Sequence, residues 1–244
     1  MPSHKHTPDR PFLATRAALR LRAIYWRLLE TYGPQQWWPA KTPLEVVLGA
    51  YLTQNTAWTS VERSLRNHES HGLLTVQGLR EISEEELRTL IRPSGYMNRK
   101  AAAIKAFIHF LNRLYDGSLE KLAAESPEVA RERLLALPGV GPETADAILL
   151  YALGQPAMVV DEYLRRVVVR HGLLPEGSKY GEIQQLAESA FESDPPATRA
   201  QHYNEFHAVI VQVGKSHCGR APKCDTCPLL FDLPSALPRK ESIP

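Results

Sequence analysis

An all-α protein is what these 244 residues predict, and three observations carry that expectation. Apolar residues recur at helical spacing almost throughout, proline and glycine punctuate the helices, and the β-branched runs are too short and isolated to build a sheet. In chain order, Leu44, Val47, Leu48, Tyr51 and Leu52 form one apolar stripe, and Ile104, Phe107, Ile108 and Leu111 a second. Ala145, Ile148, Leu149 and Ala152 form a third, Ile183, Leu186, Ala187, Ala190 and Phe191 a fourth, and Phe206, Val209, Ile210 and Val213 a fifth. Pro34, Pro39 and Pro43 precede the first stripe, Pro93 and Gly95 separate two helices, and Pro195-Pro196 precede the last. Val159-Val160 is the one strand candidate, and Val167-Val168-Val169 fits a buried helix face. The first ten or so residues are polar and read as disordered.

The length allows one large or two modest domains, each with its own core. No apolar run approaches the roughly 18 residues of a membrane span, and MPSHKHTPDRPF has no apolar stretch like that of a signal peptide. The expectation is a soluble, cytoplasmic monomer. A net charge of +2 says little by itself, but Lys5, Arg10, Arg16, Arg20, Arg22 and Arg27 make the first segment locally basic. The 3 cysteines all lie between Cys218 and Cys227. An odd, crowded set points to a metal site or its remnant in a reducing compartment, not to a disulfide framework.

Residues 134–153, LLALPGVGPETADAILLYAL, read as helix, tight glycine turn, helix. Gly139 and Gly141 allow torsions that a β-carbon forbids and let a partner approach the main chain. Pro142 suits the first position of the second helix. The free amides of Gly139, Val140 and Gly141, with the positive end of that helix, then make a phosphate site. The same turn without a ligand is only a connection between helices.

The stretch Leu137 to Asp161, LPGVGPETADAILLYALGQPAMVVD, resembles the endonuclease III superfamily of helix-hairpin-helix base-excision glycosylases. Leu52-Thr53-Gln54-Asn55-Thr56 is similar to a segment whose glutamine enters the DNA stack, and Cys218, Cys224 and Cys227 fall where the family carries an iron–sulfur loop. The resemblance runs from about residue 20 to residue 230. It implies two helical domains with a DNA cleft between them: a central domain of residues 36–153 containing the hairpin, and a second made of residues 1–35 and 154–244. It also implies a double-stranded DNA partner carrying a damaged base, and a monovalent cation held by the carbonyls of Leu135, Leu137 and Val140.

Cleaving a base from deoxyribose builds positive charge on the sugar, which a nearby carboxylate stabilises while it orients the attacking water. Asp161 stands where the family places that carboxylate, after the apolar Val159-Val160 and before a helix it is also suited to cap. Bifunctional members carry a lysine two residues after the last hairpin glycine, where it forms a Schiff base. Here that residue is Glu143, which cannot form an imine. The expected reaction is hydrolytic, needs no cofactor and lacks the lyase step; otherwise Glu143 is a solvated first-turn residue.

A flipped base needs replacement stacking. Trp37, Trp38 and Trp58 cluster around one predicted helix, and Trp37-Trp38-Pro39 followed by Trp58 resembles the endonuclease III-like 3-methyladenine glycosylases. An electron-rich clamp favours a cationic alkylpurine through cation–π attraction, although tryptophans at a helix start also serve as core. Tyr203-Asn204-Glu205-Phe206-His207-Ala208 resembles the same group, in which a lysine borders the pocket; Lys215 is the nearest, and is equally a phosphate contact or a solvated charge. Tyr151 and His207 read as core residues with satisfied polar tips. The alternatives are a glycosylase for oxidised or mismatched pyrimidines and a non-catalytic module that binds damaged DNA.

The family's loop has four cysteines, whereas Leu233 stands at the fourth position here. That argues against a stable [4Fe–4S] cluster unless His217 or Asp232 completes the set. Lys215, Arg220 and Lys223 keep the loop basic and suited to backbone phosphate either way.

Overall fold

The computed structural model describes residues 10–35, 37, 38 and 40–233, so the polar N-terminus, including Lys5, and Pro39 lie outside the described residues. Among the described residues there are twelve α-helices and no strand. Among them no helix is long and apolar enough to cross a membrane. The chain divides into two compact units, one formed by Trp38–Val159 and the other by the two chain ends, up to Trp37 and from Val160.

The inner unit is built on α2 (Pro43–Leu52), whose residues from Leu44 onward are all buried. A helix apolar on every side must be enclosed. Around it pack α3 (Trp58–Ser70), α6 (Met97–Tyr115), α9 (Pro142–Ala147) and the turn that continues α9, Ile148–Ala152. That last turn is π-helical where the apolar period predicts an uninterrupted α-helix. Short helices α4 (Val76–Glu81), α5 (Glu84–Leu90), α7 (Leu119–Ala123) and α8 (Pro127–Leu135) complete the unit. Their starts follow local chemistry. Thr75, Ser83, Ser118 and Ser126 each accept a hydrogen bond from a first-turn amide, and Ser83 with Glu86 forms a reciprocal capping box.

The outer unit contains α1 (Arg10–Tyr32), α10 (Glu162–Arg170), α11 (Tyr180–Ser189) and α12 (Pro196–Ser216). Leu21, Ile24, Tyr25 and Leu28 of α1 are fully buried, and α1 packs on α11 and α12. Buried carboxylates tie the helices together: Asp194 accepts from Arg22 at 2.6 Å and His202 at 2.5 Å, and Asp232 from Arg20 at 2.8 and 2.9 Å. Gly214 lies inside α12 because α10 leaves no room for more, since a Cβ there would collide with the Tyr163 ring. This close seating fixes the start of α10 against α12. Val159-Val160 is buried but extended without strand pairing, and Val167 and Val168 lie on the buried face of α10.

Candidate active site and nucleic-acid interface

The hairpin joins α8 to α9 through residues 136–141. Gly139 has φ +77, in the left-handed region that favours glycine, and a Cβ on it would meet Ala103 at 3.1 Å. Gly141 corrects the expectation of two special glycines. Its φ of -98 and ψ of 176 are extended torsions open to any residue, and an added Cβ would meet nothing within 4 Å. Only Gly139 is conformationally required. Gly139 and Gly141 are exposed, and Gly141 is the N-cap of α9 without a side chain to satisfy the first amides. Those amides are what an incoming phosphate oxygen would meet. Glu143 is exposed in the first turn of α9. The Leu137 carbonyl accepts from the Val140 amide at 3.3 Å, and Leu135 closes α8.

Gln54 is folded back on this hairpin. Its amide nitrogen donates to the Gly139 carbonyl at 3.0 Å and to the Thr144 hydroxyl at 2.9 Å. The loop that carries it is anchored by Lys100, buried in α6, whose ammonium donates at 2.8 Å to the Leu52 carbonyl, the Thr56 hydroxyl and the Ser94 carbonyl. Burial pushes Lys100 down to about 8 from the ordinary lysine value of 10.5. Between those values the unfolded chain holds a proton that the folded chain has released, so this residue's contribution to stability rises with pH across the window. Below about pH 8 both states are protonated and the slope vanishes. The stability of wild type relative to Lys100→Met should therefore rise between pH 8 and 10, by up to about 1.4 kcal/mol per unit. Urea unfolding at several pH values checks this; parallel curves would refute the assignment.

The tryptophans fall into two groups instead of one. Trp38 and Trp58 meet edge to face at 5.4 Å, Tyr151 lies 4.9 Å from Trp38, and Gly49 supplies the flat floor, where a Cβ would meet Trp38 at 3.3 Å. Trp37 belongs to the outer unit, edge to face with His207 at 6.4 Å and with the Lys215 ammonium 5.5 Å from its ring centroid. The indole N–H of Trp58 donates to Glu62 at 3.1 Å. Those of Trp37 and Trp38 are buried and have no hydrogen-bond partner among the described residues, so each is a donor awaiting an acceptor.

Asp161 is 9% exposed at the N-cap of α10. Oδ1 accepts from the Leu164 amide at 2.7 Å, and Oδ2 lies 3.5 Å from Nε2 of His207 on α12. The amide thus holds one oxygen of the carboxylate, and the imidazole lies beside the other, next to Trp37. The sequence reading placed His207 in the core, and its proximity to Asp161 was invisible because 46 residues separate them. Cys218, Cys224 and Cys227 gather at the end of α12, in the same unit. Arg170 donates to the Cys218 sulfur at 3.2 Å and to the Gly219 carbonyl at 2.8 Å, closing the loop onto α10. Asp232, one of the two donors proposed to complete that set, is instead committed to Arg20 and to His171.

Residues 48–193 match the HhH-GPD superfamily base excision DNA repair protein family. A Methanocaldococcus jannaschii protein named as a DNA repair glycosylase is 42% identical over 208 residues, covering 84% of this chain and 92% of its own. Endonuclease III of Sulfolobus acidocaldarius is 27% identical over 183 residues, 74% of this chain and 77% of its own. Among solved structures, the H. pylori 3-methyladenine DNA glycosylase bound to 1,N6-ethenoadenine superposes with a TM-score of 0.69 at 29% identity, covering 83% of this chain and 97% of that one. A non-covalent endonuclease III–DNA complex shares the fold, with a TM-score of 0.71 at 22% identity over 88% of this chain and 94% of that one. The chain belongs to the HhH-GPD superfamily of base excision DNA repair proteins and is a DNA glycosylase of that superfamily.

Proposed function

We propose that the chain is a monofunctional glycosylase that hydrolyses the N-glycosidic bond of alkylated purines such as 3-methyladenine in double-stranded DNA. The observation that carries this reading is Asp161, a buried carboxylate held by the Leu164 amide, with His207 beside it and next to Trp37. Glu143, at the hairpin position where bifunctional members carry a lysine, supports the absence of a lyase step.

In this reading the Gly139 and Gly141 amides hold backbone phosphate, while that of Val140 stays on the Leu137 carbonyl, and Gln54 leaves Gly139 and Thr144 to fill the gap left by the flipped nucleotide. Tryptophan faces replace the lost stacking, with Trp38 and Trp58 meeting edge to face in the inner unit. As the base departs, the Asp161 carboxylate stabilises the positive charge on the sugar and orients the water that attacks C1′. A cationic alkylpurine leaves readily, so the site needs little acid assistance. Lys215 over Trp37 opposes a second cation on that ring, which assigns cation–π recognition of such a base to Trp38 and Trp58.

The test is chromatography of free bases released from methylated duplex DNA, alongside duplexes containing thymine glycol or a T·G mismatch. Release of methylated purines from the first substrate alone is expected. Release of pyrimidines, or of no base at all, would overturn the reading.

A further inference from the structure

The cysteine loop encloses a cavity of about 210 Å3 with almost wholly apolar walls, lined by Cys218, Cys224, Cys227, His171, His217 and Leu233 among others. Its donors are spread around the cavity and do not converge: among the described residues, no three His, Cys, Asp or Glu side chains come close enough for a single metal ion. The space is many times what a single water or ion needs. Separate thiols around one apolar cage are the donor set of an iron–sulfur cluster, in which each iron takes one protein ligand. Three thiols line the cavity and would each take one iron of a [4Fe–4S] group, and Leu233 contributes no donor for the fourth.

We propose that His171, the residue that caps the C-terminus of α10, is the fourth ligand, through Nε2. His171 is buried and lines the cavity. Its Nδ1 pairs with Oδ2 of Asp232 at 2.9 Å, and Arg20 grips both oxygens of that carboxylate. A carboxylate on one ring nitrogen fixes the proton there and leaves the lone pair on the other, as metal-ligating histidines require. Asp232 is the chain neighbour of Leu233, so this imidazole is tied to the corner that lacks a thiol. His217, in contrast, directly precedes Cys218, at a corner already served. Asp232 itself acts one step back, as the group that orients His171. Bound there, the cluster would brace the loop and its basic residues; Arg170 already donates to the Cys218 sulfur and would hold that thiolate.

The experiment is anaerobic loading of the full-length chain with ferrous iron and sulfide, followed by metal and sulfide analysis and pulsed electron paramagnetic resonance of the reduced or oxidised cluster. Iron and acid-labile sulfide in equal amounts are expected, with nitrogen hyperfine coupling from a directly bound imidazole. In His171→Cys the cluster should persist and the coupling vanish, whereas His217→Ala should keep both. Asp232→Asn should weaken iron retention against a chelator about 10–100-fold. Failure to take up sulfide, uptake of iron without sulfide, or coupling that survives in His171→Cys but is lost in His217→Ala would each overturn the assignment. None of these readouts depends on which lesion the enzyme removes.

Discussion

Asp161→Asn should lower single-turnover base release by about 10²–10⁴-fold while leaving the fold and DNA affinity close to wild type. The two roles of Asp161 separate cleanly in this variant. Asparagine caps helices about as well as aspartate, so the hydrogen bond that Oδ1 accepts from the Leu164 amide at 2.7 Å can be kept. In the proposed mechanism the negative charge that would stabilise the departing sugar is lost, and the side chain facing His207 Nε2 becomes neutral. Asp161→Ala removes the cap as well and should cost about 1 kcal/mol of stability in addition. Rapid-quench kinetics with saturating enzyme, paired with thermal unfolding and gel-shift titration, separates the effects. A slow Asp161→Asn that is also unfolded would mean that the residue only caps.

Arg131→Ala should be the most destabilising single change in the hairpin, by about 3–5 kcal/mol. Arg131, from α8, reaches Asp146, from α9, with Nε at 2.6 Å and Nη2 at 3.0 Å. The Asp146 side chain is 0% exposed, so removing the guanidinium strips a fully buried carboxylate of its bidentate partner. The pair fixes the angle between the helices that present the glycine turn, so phosphate binding should weaken along with stability. A double replacement, Arg131→Met with Asp146→Leu, should recover most of the lost stability, since a packed apolar pair is about as favourable as a buried ion pair. Urea denaturation of the single and double variants decides between a buried-charge penalty and simple loss of packing.

The helical class, the hairpin and the approximate helix positions were legible because they rest on local rules: apolar period, proline and glycine punctuation, and capping residues. Asp161 as an N-cap was legible for the same reason. What escaped depends on residues far apart in the chain. Nothing near Lys100 announces that it anchors the Gln54 loop, and Gln54 gives no local sign of its bonds to Gly139 and Thr144. The tryptophans read as one cluster by their spacing, yet Trp37 joins His207 and Lys215 while Trp38 joins Trp58 and Tyr151. Gly141 looks like a twin of Gly139 in sequence and differs from it only in torsion. The fourth donor of the cysteine loop was sought beside the cysteines, whereas His171 comes from the end of α10, 61 residues from the Asp232 that holds it.

Hydrolytic removal of an alkylated purine is tested directly by one gel assay. A duplex end-labelled on the strand that carries a single 3-methyladenine, and matching duplexes with thymine glycol or a T·G mismatch, are incubated with and without enzyme and resolved with and without alkaline treatment. The expected result is strand cleavage of the alkylated duplex only after alkali, because an abasic site is left intact. Cleavage without alkali, or cleavage confined to the pyrimidine lesions, would contradict it.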